Sequence, residues 1–334
     1  MTWKVLETDY VWPTTAPERA VLEAGGAELV TAPNSDEATL VDLARDADGI
    51  MTCFAPVSEK VVRAAEKCMV IGRLGVGVDN IAVSTATELG IAVTNVPDYC
   101  VDEVSDHVMA LLHTWNRKVA LLDRSVREQG WGSVPLTMRM MRLRGKTIGI
   151  IGFGRIGQGV AAKARAFGLN ILAYGPRLTQ EKVDPFGGRR VELETLLRES
   201  DFVSVNAPLT DETTGMIAKA ELELMKPDAY LINTSRGALI DESALHDALT
   251  TNKIAGAGLD VMTGGVPAPD NPLIGLDNII ITPHVAFFSQ ESTVEMEERA
   301  AQAVVDVLQG IMPGSLVNPA VLQHPNPRHR LPRG

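Results

Sequence analysis

The sequence predicts an α/β fold built as two parallel-sheet domains, and three observations carry that reading. Short apolar runs alternate with helix-length amphipathic segments from end to end, the pattern of strands joined by crossover helices. The alternation restarts at Thr147 after a long helical stretch. The first apolar run of the second series opens directly into a glycine-rich turn, Gly152-Phe-Gly-Arg-Ile-Gly157. At 334 residues the chain is long enough to bury two cores.

In the first series, residues 3–6, 28–31, 49–52, 69–74 and 91–94 read as strands, being short and rich in β-branched and apolar side chains. Residues 17–24, 36–46 and 58–66 read as the helices between them. A single long helix is expected over residues 101–128, closed by Gly130-Trp-Gly132, with a Met- and Arg-rich connection at 138–144. Residues 104, 108, 111, 112 and 115 place Val, Val, Leu, Leu and Trp on one face of that helix. The second series gives six strands, at 147–151, 170–174, 202–206, 230–233, 256–261 and 279–282, which matches a dinucleotide-binding sheet. A last helix over about 290–309 has no strand partner left in that series, so it is expected to return to the first domain. The expected division is therefore residues 1–101 plus 287–334 as a discontinuous substrate domain and 102–286 as the dinucleotide-binding domain.

Composition excludes several functions. A formal net charge of -11 does not suit a partner whose phosphates need neutralising, so no nucleic acid is expected. No apolar run approaches the ~20 residues of a membrane span, and the N-terminus lacks the apolar core of a secretory signal. Cys53, Cys68 and Cys100 share no short spacing and read as reduced, buried thiols. The six histidines form no metal-ligand pattern, so no metal is expected, and the setting these features fit is cytoplasmic. The basic C-terminal tail, Arg328-His-Arg-Leu-Pro-Arg, reads as frayed chain.

A lone Gly-x-Gly-x-x-Gly is weak evidence, but here it follows a strand and opens a helix with Ile156, Val160, Ala164 and Phe167 at helical spacing. Gly152 permits the tight turn, Gly154 lets a pyrophosphate approach the backbone, and Gly157 allows close helix–strand packing. The N–H groups of Arg155, Ile156 and Gly157 then face an anion at a helix N-terminus. The acid that normally follows the second strand and takes the ribose hydroxyls is replaced by Gly175, and Arg177 stands close behind it. Arg177 suits a 2′-phosphate or can simply cover the adenine face, so NAD and NADP both remain open.

Ligands of such sheets bind at the carboxyl ends of the strands. Three segments fall there: Asn233-Thr-Ser-Arg-Gly-Ala-Leu-Ile-Asp, Gly258-Leu-Asp-Val and Thr282-Pro-His-Val-Ala-Phe-Phe-Ser. With the glycine turn, with Gly72-Arg-Leu-Gly-Val-Gly-Val-Asp-Asn and with Asn95-Val-Pro-Asp-Tyr-Cys-Val-Asp-Glu-Val-Ser-Asp-His, the chain resembles the D-isomer-specific 2-hydroxyacid dehydrogenases. It looks most like the branch holding the C-terminal-binding-protein and phosphoglycerate-dehydrogenase types. The resemblance runs from about residue 3 to 322. It implies Rossmann-like and flavodoxin-like domains, and an NAD(P)-dependent oxidoreductase moving a hydride between the nicotinamide and a 2-oxo or 2-hydroxy acid. Arg236 would clamp the substrate carboxylate and 2-oxo group, and His284 would be the acid and base at the reacting oxygen. Val76 and Gly77 would offer backbone N–H groups to the carboxylate, and Asp260 would hold the nicotinamide carboxamide. Asn206, Pro208 and Thr234 complete the expected cofactor contacts. The 101–128 helix and the connection after it resemble the family's dimerisation arm, which implies a homodimer.

Two departures stand out. The family's run Asp-Val-Phe-x-x-Glu-Pro reads Asp260-Val-Met-Thr-Gly-Gly265-Val, so the carboxylate that supports the histidine is replaced by Gly265. Asn206 stands where the family usually has His. A dinucleotide-binding regulatory or scaffold protein with little turnover is the other reading these changes allow. Phe54, Tyr99, Phe287 and Phe288 favour a hydrophobic or aromatic acid over a phosphorylated one.

Overall fold

In the computed structural model, which describes residues 2–132 and 140–332, the first series folds as β1 (Trp3–Glu7), α1 (Ala16–Ala24), β2 (Ala27–Thr31), α2 (Glu37–Ala44), β3 (Gly49–Thr52), α3 (Glu59–Ala64), β4 (Val70–Arg73), α4 (Val83–Glu88) and β5 (Ala92–Thr94). These strands form one five-stranded sheet in the order β2-β1-β3-β4-β5, with every pairing parallel. That is the flavodoxin-like order. Strands β3 and β4 are buried on both faces, as a parallel sheet covered by helices requires.

The chain continues with α5 (Val101–Arg117), α6 (Val119–Gln129), β6 (Thr147–Ile151), α7 (Arg155–Ala166), β7 (Asn170–Tyr174), α8 (Gln180–Val183), β8 (Arg189–Arg190), α9 (Leu193–Glu199) and β9 (Phe202–Val205). It closes with α10 (Lys219–Leu224), β10 (Tyr230–Asn233), α11 (Glu242–Thr250), β11 (Gly256–Leu259), β12 (Ile279–Ile281) and α12 (Gln290–Gln309). The second sheet has seven strands in the order β12-β11-β10-β9-β6-β7-β8, again all parallel. Its order reverses between β6 and β9, the switch point at which Rossmann sheets bind ligands.

The chain divides into two compact units, Cys100–Phe288 and the residues on either side of it. The last helix accounts for the discontinuity of the first unit. A Cβ added at Gly72 in β4 would lie 2.6 Å from Val304 of α12, and one at Gly25 would lie 2.6 Å from Val305. Glycines on the sheet and beside it thus let α12 lie flush, and its apolar face, including Ala300, Ala301, Val304 and Leu308, is buried there.

Three details differ from the sequence expectation. The sheet has a seventh strand, β8, whose Arg189–Arg190 pair is exposed and carries none of the apolar pattern by which strands are read. The expected long helix is two helices, broken at Lys118, which takes the left-handed conformation (φ 56°) and sets its ammonium 4.0 Å from the Trp115 ring centroid. Positively charged nitrogen over an indole face is attractive, and it anchors the break. The tail is not frayed as far as residue 332. Arg328 donates from its backbone to the Gly90 carbonyl and from its guanidinium to that of Ala65, while His329 and Leu331 are buried. Residues 138 and 139 of the expected Met- and Arg-rich connection lie outside the described residues.

Candidate active site

Because the second sheet is wholly parallel, the carboxyl ends of β6, β9, β10, β11 and β12 share one edge. At the end of β6, Gly152 adopts φ 87° and donates its N–H to the Tyr174 carbonyl at 2.9 Å. A Cβ at Gly152 would strike the Asn206 backbone at 2.6 Å, and one at Gly157 would strike the Gly152 carbonyl oxygen at 2.3 Å. At Gly154 a Cβ would meet nothing within 4 Å. The two outer glycines therefore close the turn, and the middle one faces open space.

Gly154 caps α7 without any side-chain hydrogen bond to the helix. The first N–H groups of α7 are thus not taken by a capping side chain, which is the arrangement that binds a phosphate. Two further atoms await partners at this edge: Asn206 Oδ1 and Thr234 Oγ1 are buried with no hydrogen bond among the described residues. Asn206 is held by its own amide, which donates to the Ser204 carbonyl and hydroxyl. Pro208 is exposed just beyond it. Open glycine, uncapped helix start and orphaned polar atoms fit a bound dinucleotide. The turn after β7 leaves Arg177 exposed and Gly175 buried. No group of three or more metal-ligating side chains occurs among the described residues.

At the ends of β11 and β12 the geometry centres on Asp260, a carboxylate that is 1% exposed. Its Oδ1 accepts from the Thr282 hydroxyl at 2.6 Å and from Val285 N–H at 3.0 Å. Its Oδ2 accepts from Ala286 N–H at 2.9 Å, and its carbonyl accepts from His284 N–H at 2.8 Å. The side chain expected to hold a carboxamide therefore clamps the turn that carries His284. The clamp has a purpose: His284 sits at φ 56°, a left-handed conformation that costs a non-glycine residue on the order of 1–3 kcal/mol and persists where its surroundings enforce it. The His284 ring meets Phe287 edge to face, with centroids 6.2 Å apart.

Arg236 follows β10, and Asn233 fixes its backbone. The Asn233 amide donates to the Arg236 carbonyl at 2.8 Å, and its oxygen accepts from Ser235 N–H at 3.0 Å. Gly237, which the sequence reading passed over, is the tightest glycine of this edge. A Cβ there would lie 2.1 Å from the Met262 carbonyl carbon and 2.2 Å from Thr263 N. The Met262–Thr263 backbone thus presses directly on the residue after Arg236. Glu242 secures that loop, its Oε1 accepting from Thr263 N–H at 2.6 Å. Gly264 and Gly265 follow in left-handed conformations, φ 78° and 86°, with nothing within 4 Å of a Cβ.

Val76 and Gly77 belong to the first unit, in the loop after β4, where Val76 accepts from the Asn95 amide at 2.7 Å. Beside that loop lies Arg73, a charged residue that the sequence reading left unused. It is 7% exposed, its guanidinium donates to the Leu74 carbonyl, its Nε has no hydrogen bond among the described residues, and its charge lies 5.9 Å from the Phe54 ring centroid. The available signal was an arginine ending an otherwise apolar strand.

Comparison with known proteins agrees with this geometry. The family model for the D-isomer specific 2-hydroxyacid dehydrogenase NAD binding domain matches residues 109–286. A glyoxylate reductase of Korarchaeum cryptofilum is 40% identical over 287 residues, which cover 85% of this chain and 86% of that one. A D-3-phosphoglycerate dehydrogenase of Archaeoglobus fulgidus is 39% identical over 262 residues, covering 78% of this chain but only 49% of that relative. The chain thus spans about half the length of the phosphoglycerate dehydrogenase it matches. Among solved structures, the NADPH-dependent glyoxylate/hydroxypyruvate reductase of Sinorhizobium meliloti, in complex with NADP and malonate, superposes with a TM-score of 0.86 at 28% identity, covering 95% of this chain and 97% of that one.

Proposed function

Because the chain belongs to the D-isomer specific 2-hydroxyacid dehydrogenase family, we propose that it reduces a small 2-oxo acid to the 2-hydroxy acid, with NADPH preferred over NADH. The observation that carries this reading is the Asp260 clamp, which holds His284 in an otherwise costly backbone conformation on the edge that bears the glycine turn. Such strain fits a residue whose position is functional. The nucleotide supplies the hydride; the chain's own groups bind, orient and protonate.

Arg236 is proposed to take the carboxylate and the 2-oxo oxygen with its planar fork of donors. His284 is proposed to give a proton to that oxygen as the hydride reaches C2, and to take it back in the oxidising direction. Val76 and Gly77 are proposed as backbone donors to the carboxylate. The nucleotide preference rests on Gly175, where the acid that repels a 2′-phosphate is missing, and on the exposed Arg177 in the same turn. Position 265 supplies no carboxylate to the site, and its left-handed backbone does not suit a glutamate.

A homodimer is proposed on α6, which buries none of its residues and leaves Val119, Leu121 and Val126 exposed. Light scattering tests it, and a monomer at micromolar concentration would refute it.

The functional reading is tested by steady-state reduction of 2-oxo acids with both nucleotides. Arg236→Lys keeps the charge and loses the fork, so kcat/KM is expected to fall about 100-fold. Arg177→Ala is expected to raise the KM for NADPH about tenfold and leave that for NADH unchanged, the loss of one charge-assisted contact. An equal effect on both nucleotides would remove the NADPH assignment.

A further inference from the structure

The run that ends in Asp106-His107 carries one group that the reaction scheme does not use. His107 lies on α5, and its Nε2 is 2.9 Å from the Thr282 hydroxyl and 3.6 Å from Asp260 Oδ1. Thr282 has a single hydroxyl proton, and it is directed to Asp260 at 2.6 Å. The hydroxyl can therefore only accept from the imidazole, so His107 carries its proton on Nε2 and donates it. The His107 side chain is 21% exposed, while that of Asp260 beside it is wholly buried.

We propose that His107 is a positioning residue: through Thr282 it holds the Asp260 carboxylate in the orientation that fixes the backbone of His284. The chain of contacts is continuous. His107 donates to Thr282, Thr282 donates to Asp260, and Asp260 receives Val285 N–H and Ala286 N–H on its two oxygens. A buried carboxylate must keep all its donors, because each one lost leaves charge uncompensated. Without the Nε2 proton, Thr282 is released from α5 and its hydroxyl can turn away from Oδ1. The Asp260 carboxylate then keeps only its bonds from Val285 N–H and Ala286 N–H. A displacement of about 1 Å in a reacting group can cost on the order of 100-fold in rate, so the effect should appear in kcat.

The inference rests on the proposed reductase activity, and the test separates the two. Glutamine can place an N–H near the position of Nε2, whereas leucine keeps bulk and removes the donor. With a 2-oxo acid that the wild-type protein reduces, His107→Leu is expected to lower kcat about tenfold with substrate KM unchanged, and His107→Gln to stay within about threefold of wild type. Thermal melts of both variants establish that they fold. Independently of turnover, the ¹⁵N-labelled His107 side chain is expected to give a protected Nε2–H resonance that Thr282→Val removes. Wild-type kcat in His107→Leu, equal losses in both His107 variants, or a His107 ring protonated only on Nδ1 would each overturn the proposal. A wild-type protein that reduces no 2-oxo acid would instead refute the reductase reading, while the resonance would still test the clamp.

Discussion

At the scale of single residues, backbone conformation places the chemistry. Arg236 and His284, the residues proposed to act on substrate, stand out in the sequence because both sit in strongly patterned segments after strands. What fixes them is not legible. Gly237 looks like any loop glycine until the Met262–Thr263 backbone is seen 2.1–2.2 Å from where its Cβ would stand. Gly237→Ala must push backbone against backbone, and small-to-large changes of this kind cost about 1–3 kcal/mol. A lower melting temperature is expected, together with a fall of tenfold or more in kcat/KM as Arg236 shifts; unchanged kinetics would mean that the contact does not reach the site. Asp260 stands out in the sequence as a carboxylate after a strand, but its side chain accepts from Thr282 and from the turn over 284–286, and no local pattern announces those bonds.

At the scale of elements, strands such as β3, β6 and β10 are plainest in the sequence because they are almost wholly buried, and burial writes itself into composition. The two-residue β8 and the break at Lys118 were missed because edge pairing and a cation over an indole leave no periodic trace. A second hidden feature joins β1, α1 and α12, where Glu7, Glu18 and Glu297 are each at most 2% exposed. Burial pushes the Glu7 carboxyl up to about 8, helped by the neighbouring Glu18 charge and hydrogen bond, against the pull of Thr31 and Arg19. Burial likewise raises Glu297 to about 9, with Glu18, Glu7 and Glu298 adding to it. These groups keep protons in the folded chain that an unfolded chain releases near pH 4.5. Between about pH 4.5 and 9 the folded state binds more protons, so stability falls as pH rises through that window. Denaturant midpoints measured from pH 5 to 9 are expected to decline, and Glu297→Gln is expected to flatten the slope. An equally steep decline in the variant would contradict the assignment.

At the scale of the whole molecule, the two parallel sheets, the return of the last helix to the first and the glycine turn at the switch point were all legible. Each follows from strand-length apolar runs and from one turn that only glycine can make. The choice of nucleotide and the consequence of Gly265 were not legible, since each turns on a residue type that is absent rather than present. The central claim is that this fold reduces a 2-oxo acid through Arg236 and His284. It is tested most directly by incubating the full chain with NADPH and a panel of aliphatic and aromatic 2-oxo acids, following nicotinamide oxidation and resolving the product on a chiral column. The expected result is one equivalent of the D-2-hydroxy acid per nucleotide oxidised, lost in His284→Asn. Stoichiometric nucleotide binding with no turnover of any acid would contradict it and favour a dinucleotide-binding regulatory protein.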